Sequence, residues 1–374
     1  MAQGAYIGVD GKARKIAGGY IGVDGKARKI IKAYIGVGGV ARPCWSAEKW
    51  PTHYGAITDL TVGRYGHAAT TVGNYALFGG GYDTSTYSAA VDAYNATLTR
   101  TTLYALAYAR NELAATTVGD YALFAGGKDG SACYAAVDAY DSSLTQAMPN
   151  AMYYGRNSLA ATTVGNYALF AGGKNGTTYM TSVDAYNATL TRSSASALSV
   201  GRGELAATTV GDYALFAGGY GGSGRTNVVD AYNASLTRST PTALSAVRNG
   251  HAATTVGNYA LFGGGYSSGR VTTVDAYNAS LTHSTPTALS RARNWLSAAT
   301  VGDCALFAGG LYSSGDSTVD AYSASLTRST LDELSVARSN IAATTVGNYA
   351  LFGGGTTNGG ASGSVATVDA YIAS

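Results

Sequence analysis

An all-β, seven-bladed β-propeller is the fold class this sequence predicts, and three observations predict it. One unit of about 46 residues recurs seven times from residue 53 onward. Each unit divides into four short alternating segments separated by turn residues. The last unit stops after its third segment, while a spare segment, HYGAITDL at residues 53–60, stands ahead of the first. A four-stranded unit of this period cannot bury its own faces, and copies stacked in a ring bury them against each other. Composition agrees, with Gly at 51, Tyr at 29, Pro at 5 and charged residues at 13% of 374 residues. Such a chain is turn-rich and finely alternating rather than disordered.

The chain opens with a different, shorter repeat. Residues 5–44 read AYIGVDGKARKI, GYIGVDGKARKI and AYIGVGGVARPC, with Tyr6, Tyr20 and Tyr34 evenly spaced. Each copy reads as a β-hairpin around Asp-Gly or Gly-Gly. Basic residues fall on the return strand (Lys12, Arg14 and Lys15; Lys26, Arg28 and Lys29). These read as a solvated face, so nucleic acid is not an expected partner. An isolated hairpin is marginal in water, and this segment is expected to anchor on another protein or on further copies of itself. Two domains are expected: hairpin repeats over 1–44 and the propeller over 45–374.

Each propeller unit begins with a small alternating strand (AATTV), and its T-V-G marker places Val at 72, 118, 164, 210, 256, 301 and 346. A two-residue G-[ND] turn leads to YALF, a hairpin signal. The glycines of F-[GA]-G-G come next, then a polar loop. The third strand is V-D-A-Y, with Asp at 92, 138, 184, 230, 275, 320 and 369. An N-A-[ST] turn leads into L-T-R-S-T, the fourth. Residues near 53–60 are expected to complete the last sheet, which would tie the ends together and remove two open edges.

These markers resemble kelch repeats: the period, the glycine doublet after the second strand, the aromatic in the third, and an Arg before each first strand. The resemblance covers about 320 residues. It departs from the family at the fourth strand, where Leu-Thr pairs such as Leu98-Thr99 stand near the usual Trp. No Trp-Asp dipeptide occurs, which disfavours a WD-repeat reading. Kelch propellers also include copper-radical oxidases, but their set of two His, two Tyr and a cross-linked Cys finds no match here. The hairpin repeats, in turn, resemble short YIGV-G-ARK repeats of bacteriophage and prophage tail-region proteins.

Comparing the seven units with each other locates the expected binding face. The turns between strands one and two, and between three and four, hardly change. The segments after the blade Arg and after the glycine doublet vary freely, and an up-down meander puts both at the same end of the sheet. Variable loops on a fixed scaffold are the pattern of a recognition surface, and these are rich in Tyr, Ser, Gly and Asn. The ligand-binding candidates are Tyr65, His67, Tyr82, Tyr87, Glu112, Tyr134, Tyr179, Glu204, Tyr220, Arg225, His251, Tyr266, Arg270, Trp295 and Tyr312. The tyrosines from 82 onward and Trp295 are expected to stack on sugar rings or apolar groups.

The seven blade arginines, Arg64, Arg110, Arg156, Arg202, Arg248, Arg293 and Arg338, are expected as a ring at the mouth of the central channel. There they would either hold an anion or pair with the seven V-D-A-Y aspartates. No catalytic residues, metal site or cofactor are expected. The four histidines, His53, His67, His251 and His283, are scattered, and Glu112 and Glu204 stand two units apart. The tripeptides at Asn95, Asn187, Asn233 and Asn278 match glycosylation acceptors and are read as β-turns. Cys44, Cys133 and Cys304 are read as free thiols. No apolar run approaches the ~20 residues that span a bilayer, and the N-terminus lacks the apolar core of a signal peptide.

The expectation is a non-catalytic protein of a phage or prophage virion that recognises a host-surface glycan or protein through the variable face. It would contact other virion proteins through its hairpins. Two alternatives stay open: an intracellular bacterial kelch scaffold for protein–protein contacts, and a carbohydrate-active enzyme. Location is accordingly the virion or the bacterial cytoplasm, without membrane attachment.

Overall fold

The computed structural model describes the backbone of residues 6–9, 12–15, 19–23, 26–30, 32–37, 40–46 and 48–374. It describes side chains from residue 48 on, Ala361 excepted. Two compact units are present, Met1–Lys49 and Trp50–Ser374. In the first, Tyr6–Val9 pairs with Lys12–Lys15, Gly19–Val23 with Lys26–Ile30, and Lys32–Val37 with Val40–Ser46, all antiparallel. The third hairpin thus runs past residue 44. The turns at 10–11, 24–25 and 38–39, the basic side chains of the hairpins and the Cys44 thiol lie outside the described residues.

The second unit contains seven four-stranded antiparallel sheets. Their first strands are Ala68–Val72, Ala114–Val118, Ala160–Val164, Ala206–Val210, Ala252–Val256, Ser297–Val301 and Ala342–Val346. We number the sheets one to seven in that order. Each first strand touches the first strand of the next sheet, and that of sheet seven touches that of sheet one. Threonine hydroxyls join neighbours along this cycle: Thr70 with Thr117 at 2.9 Å, Thr116 with Thr163 at 3.0 Å, and Thr71 with Thr344 at 2.8 Å. Ala299 stands where the other first strands carry the first of their two threonines, so sheet six brings one threonine fewer.

Apolar cores fill the spaces between successive sheets. Leu123, Val137 and Ala139 of sheet two, for instance, pack on Leu159, Ala168, Phe170 and Tyr186 around sheet three. The third strands explain why both faces are apolar or paired. Val91 and Ala93 face one neighbour, Asp92 and Tyr94 the other, and all four are buried. Phe and Tyr of one sheet meet edge to face, as Phe78 and Tyr94 do at 5.8 Å. Such pairs add about 0.5–1.5 kcal/mol beyond area burial.

The fourth strands are shorter than the sequence suggests. In the N-A-[ST]-L stretch the Leu belongs to the turn, with positive φ at Leu98 (61°), Leu190 (60°) and Leu281 (59°). Asn95 Oδ1 accepts the backbone N–H groups of Thr97 and Thr99 at 3.0 and 2.9 Å, which holds that turn. The strand then begins at Arg100. Asn187, Asn233 and Asn278 hold their turns in the same way.

Sheet seven takes its fourth strand from the other end of the second unit. Thr52–Ile57 pairs antiparallel with Val368–Ile372, with an irregularity between Ala370 and Tyr371. Among the described residues no helix is long and apolar enough to cross a membrane.

Candidate functional site

The blade arginines do not form an accessible ring. All seven are fully buried. Each is ion-paired to the V-D-A-Y Asp of its own sheet, from Arg64 with Asp92 at 2.8 Å to Arg338 with Asp369 at 2.7 Å. Each also donates to the carbonyl of its sheet's Phe, as Arg202 does to Phe216 at 3.0 Å. The reason is geometric: the residue enters beneath the glycine doublet, where its head meets the third strand and not solvent. Burial alone disfavours charge on Asp275 and Asp369. The adjacent Arg248 and Arg338 overcome it and hold both carboxyls below their usual range. The outer oxygen of these aspartates is capped from the fourth strand, by Arg238 on Asp230 at 3.0 Å and by His283 on Asp275 at 2.6 Å. His53 does the same for Asp369 at 2.9 Å. Arg–Asp pairs, His53 and His283 are therefore framework.

That framework sets the course of the chain beyond each Arg. The next residue pairs with the residue after the glycine doublet of its own sheet: Tyr65 with Tyr82, Asn111 with Lys128, Asn157 with Lys174, Asn249 with Tyr266. The two variable sets thus lie together at one end of the sheets, as the meander requires. The second residue after each Arg is left-handed. Glycines occupy this place in sheets one and five (Gly66, φ 64°; Gly250, φ 60°). Side chains occupy it elsewhere: Glu112 (54°), Ser158 (55°), Glu204 (55°), Trp295 (55°) and Asn340 (53°). Backbone hydrogen bonds link these residues from sheet to sheet. Glu112 N–H donates to Gly66 at 2.7 Å, Ser158 to Glu112 at 2.9 Å, and Glu204 to Ser158 at 2.8 Å. Gly250, Trp295 and Asn340 continue the series at 3.2, 2.7 and 2.9 Å. An L-residue in this conformation costs roughly 1–2 kcal/mol, and here the linked backbone holds it in place.

A cavity of about 570 Å³ opens over this series. Glu112, Ser158, Glu204, Trp295 and Asn340 line it, with Tyr65 and Lys174 beside them. Leu113, Leu159, Leu205, Leu296 and Ile341, the third residues after each Arg, supply its apolar surface. Glu112 is tied down: Lys128 Nζ lies 2.8 Å away, Ser158 Oγ donates at 2.6 Å, and Asn157 Nδ2 donates as well. Burial opposes its charge, but these donors prevail and keep its carboxyl below the usual range. Glu204 accepts from Asn249 Nδ2 at 2.5 Å.

His67 and His251 also line the cavity but as buried groups, each 7% exposed, at the position that Leu fills in four other sheets. Burial, then the nearby Arg64 and Arg338, push His67 down to about 3. Burial and Arg248 hold His251 well below its ordinary value. Both are neutral packing residues at neutral pH.

Of the sequence candidates, the cavity brings together Tyr65, His67, Glu112, Glu204, His251 and Trp295. Tyr82, Tyr87, Tyr134, Tyr179, Tyr220, Arg225, Tyr266, Arg270 and Tyr312 sit instead in the small hairpins after the glycine doublets. Several have partners there. Tyr82 meets Tyr87 at 4.7 Å, Tyr134 stacks on Tyr108 at 4.6 Å, and the Arg225 guanidinium lies 4.6 Å over Tyr266. Arg291 covers Tyr312 at 4.5 Å, and Arg270 donates to Asn294 at 3.2 Å. Residues missed in the sequence are Lys128, Ser158, Lys174 and Asn340. The two lysines had a signal: they come directly after the glycine doublet, where other units carry Tyr, Leu or Thr. Among the described residues no group of His, Cys, Asp or Glu is placed to hold a metal ion.

No known protein family and no curated protein sequence matches the chain.

Proposed function

We propose that the cycle of sheets is a seven-bladed kelch-like propeller serving as a binding module, its ligand a cell-surface glycan seated in the axial cavity. One observation carries the reading. Seven equivalent left-handed positions face one cavity, and five carry side chains where Gly would relieve the backbone. Retaining Glu, Ser, Glu, Trp and Asn at that cost makes sense if those side chains meet a ligand. The volume falls within the ~300–1,000 Å³ of small-molecule sites. An indole and a phenol among hydroxyl, amide and carboxylate groups suit a sugar ring, which has an apolar face and a polar edge. The ligand is bound and not transformed in this reading, since Glu112 is locked by three donors. The resemblance of the hairpins to phage tail-region repeats supplies the setting: a virion-associated protein recognising the surface of a Gram-positive host.

The test is binding of the labelled protein to intact cells of candidate hosts, before and after surface polysaccharide is stripped. Saturable binding lost on stripping and in Trp295→Ala is the expected result. Binding that survives stripping, or is indifferent to Trp295→Ala, refutes the proposal and favours a protein ligand or another face.

A further inference from the structure

Two sheets carry glutamate at the left-handed position, so the molecule contains its own comparison. Glu112 and Glu204 share their backbone conformation, φ 54° and 55°, and each accepts from the asparagine of the following sheet, Asn157 or Asn249. Glu112 has two further partners, the Lys128 ammonium and the Ser158 hydroxyl. At Glu204 both are replaced. Tyr220 stands where Lys128 stands, and Gly250 stands where Ser158 stands.

Among the described residues nothing else fills the deficit. Glu204 is half-buried and makes no ion pair among the described residues. Arg225, in the outer hairpin of the same sheet, donates to Asn249 Oδ1 at 2.8 Å and lies over Tyr266 and Tyr220. Lys174 belongs to sheet three, while the Glu204 carboxylate is turned toward sheet five. The surroundings are aromatic instead. The Trp295 indole lies 3.3 Å from where a Cβ on Gly250 would be, so it covers the space that a Ser158-like side chain would take. Tyr220 meets Tyr179 at 5.9 Å. A carboxylate that lacks an ammonium and a hydroxyl donor, beside indole and phenol rings, is complementary to an alkylammonium.

We propose that the axial cavity takes a ligand bearing a protonated amine, seated on Glu204 beside Trp295 in the place that Lys128 fills for Glu112. This rests on the glycan reading above and narrows it to saccharides with unsubstituted amino groups.

Calorimetric titration of the intact protein with a glucosamine trimer and with its fully N-acetylated counterpart tests it. The amine trimer should bind about tenfold or more tightly than the acetylated one, a difference of about 1.4 kcal/mol. Glu204→Gln should remove that preference. Tyr220→Lys should block the site with an internal ammonium, and it copies an arrangement sheet two already folds with, so an unchanged thermal transition verifies its integrity. Equal affinity for both trimers, lost in Trp295→Ala, overturns the amine inference and leaves the glycan reading standing. Amine binding indifferent to Glu204→Gln and Tyr220→Lys overturns it also. So does failure of both trimers to bind while cell binding remains polysaccharide-dependent, whereas cell binding that survives removal of the polysaccharide refutes the broader reading.

Discussion

His67 and His251 make stability depend on pH over a window that the structure specifies. Both rings are buried, and His67 is held at about 3 against an ordinary value of 6.5. The folded state therefore refuses a proton that the unfolded chain accepts. The stability is complete above about pH 6.5 and falls as pH drops toward 3, because protons bind preferentially to the unfolded state. Each unit of pH in that window costs about 1.4 kcal/mol per group. From pH 7 to pH 5, His67 alone should cost about 2 kcal/mol, and His251 adds a loss of the same sign. The perturbation is the double variant His67→Leu/His251→Leu, which installs the Leu of sheets two, three, four and six. Leu113 already packs against Gly80 from that position, so the replacement has a precedent within the molecule. Urea denaturation at pH 7 and pH 5 reads the effect. The wild-type midpoint should fall on acidification by clearly more than that of the double variant. Equal losses in both would mean that the rings take up protons in the folded state, and the burial argument would fail.

The framework sets two further outcomes. Asp230→Asn leaves Arg202 buried without its charge partner, since the pair is wholly enclosed at 2.9 Å. Breaking one side of such a pair costs about 3–5 kcal/mol, and denaturation should show that loss, with the Arg202→Met/Asp230→Leu double variant recovering part of it. Deleting residues 1–49 should leave the thermal transition of the second unit in place. Deleting 1–58 removes Thr52–Ile57 and exposes the edge of Val368–Ile372, so it should lower the transition and promote aggregation, both visible by scanning calorimetry and light scattering.

Much of the fold was legible because the repeat prints each decision seven times. The turn residues, the strand periods and the missing fourth segment of the last unit are all local signals, and the pairing of Thr52–Ile57 with Val368–Ile372 emerges once segments are counted. The place of Leu98 was not legible. A Leu after N-A-T reads as the start of a strand, and only the Asn95 hydrogen bonds show why it is left-handed.

The site divides along the same line. That the variable segments share one end is a consequence of strand alternation, but which of their residues face a common cavity depends on backbone direction one residue at a time. Arg202 and Glu204 differ by two positions, yet the first is enclosed and the second lines the cavity. A left-handed residue between a buried Arg and a buried Leu, Ile or His turns its side chain toward the cavity, and no composition or period announces that conformation when the residue is Glu or Trp. Gly66 and Gly250 were the available hint: in a repeat, glycine in some copies marks a position where all copies share its backbone. The column of Gly66, Glu112, Ser158, Glu204, Gly250, Trp295 and Asn340 is left-handed in every copy, at a cost in the five that carry a side chain, while the chemistry it presents changes in nearly every one. Strain that recurs and chemistry that varies are separate properties, the first set by the fold and the second free to suit a ligand.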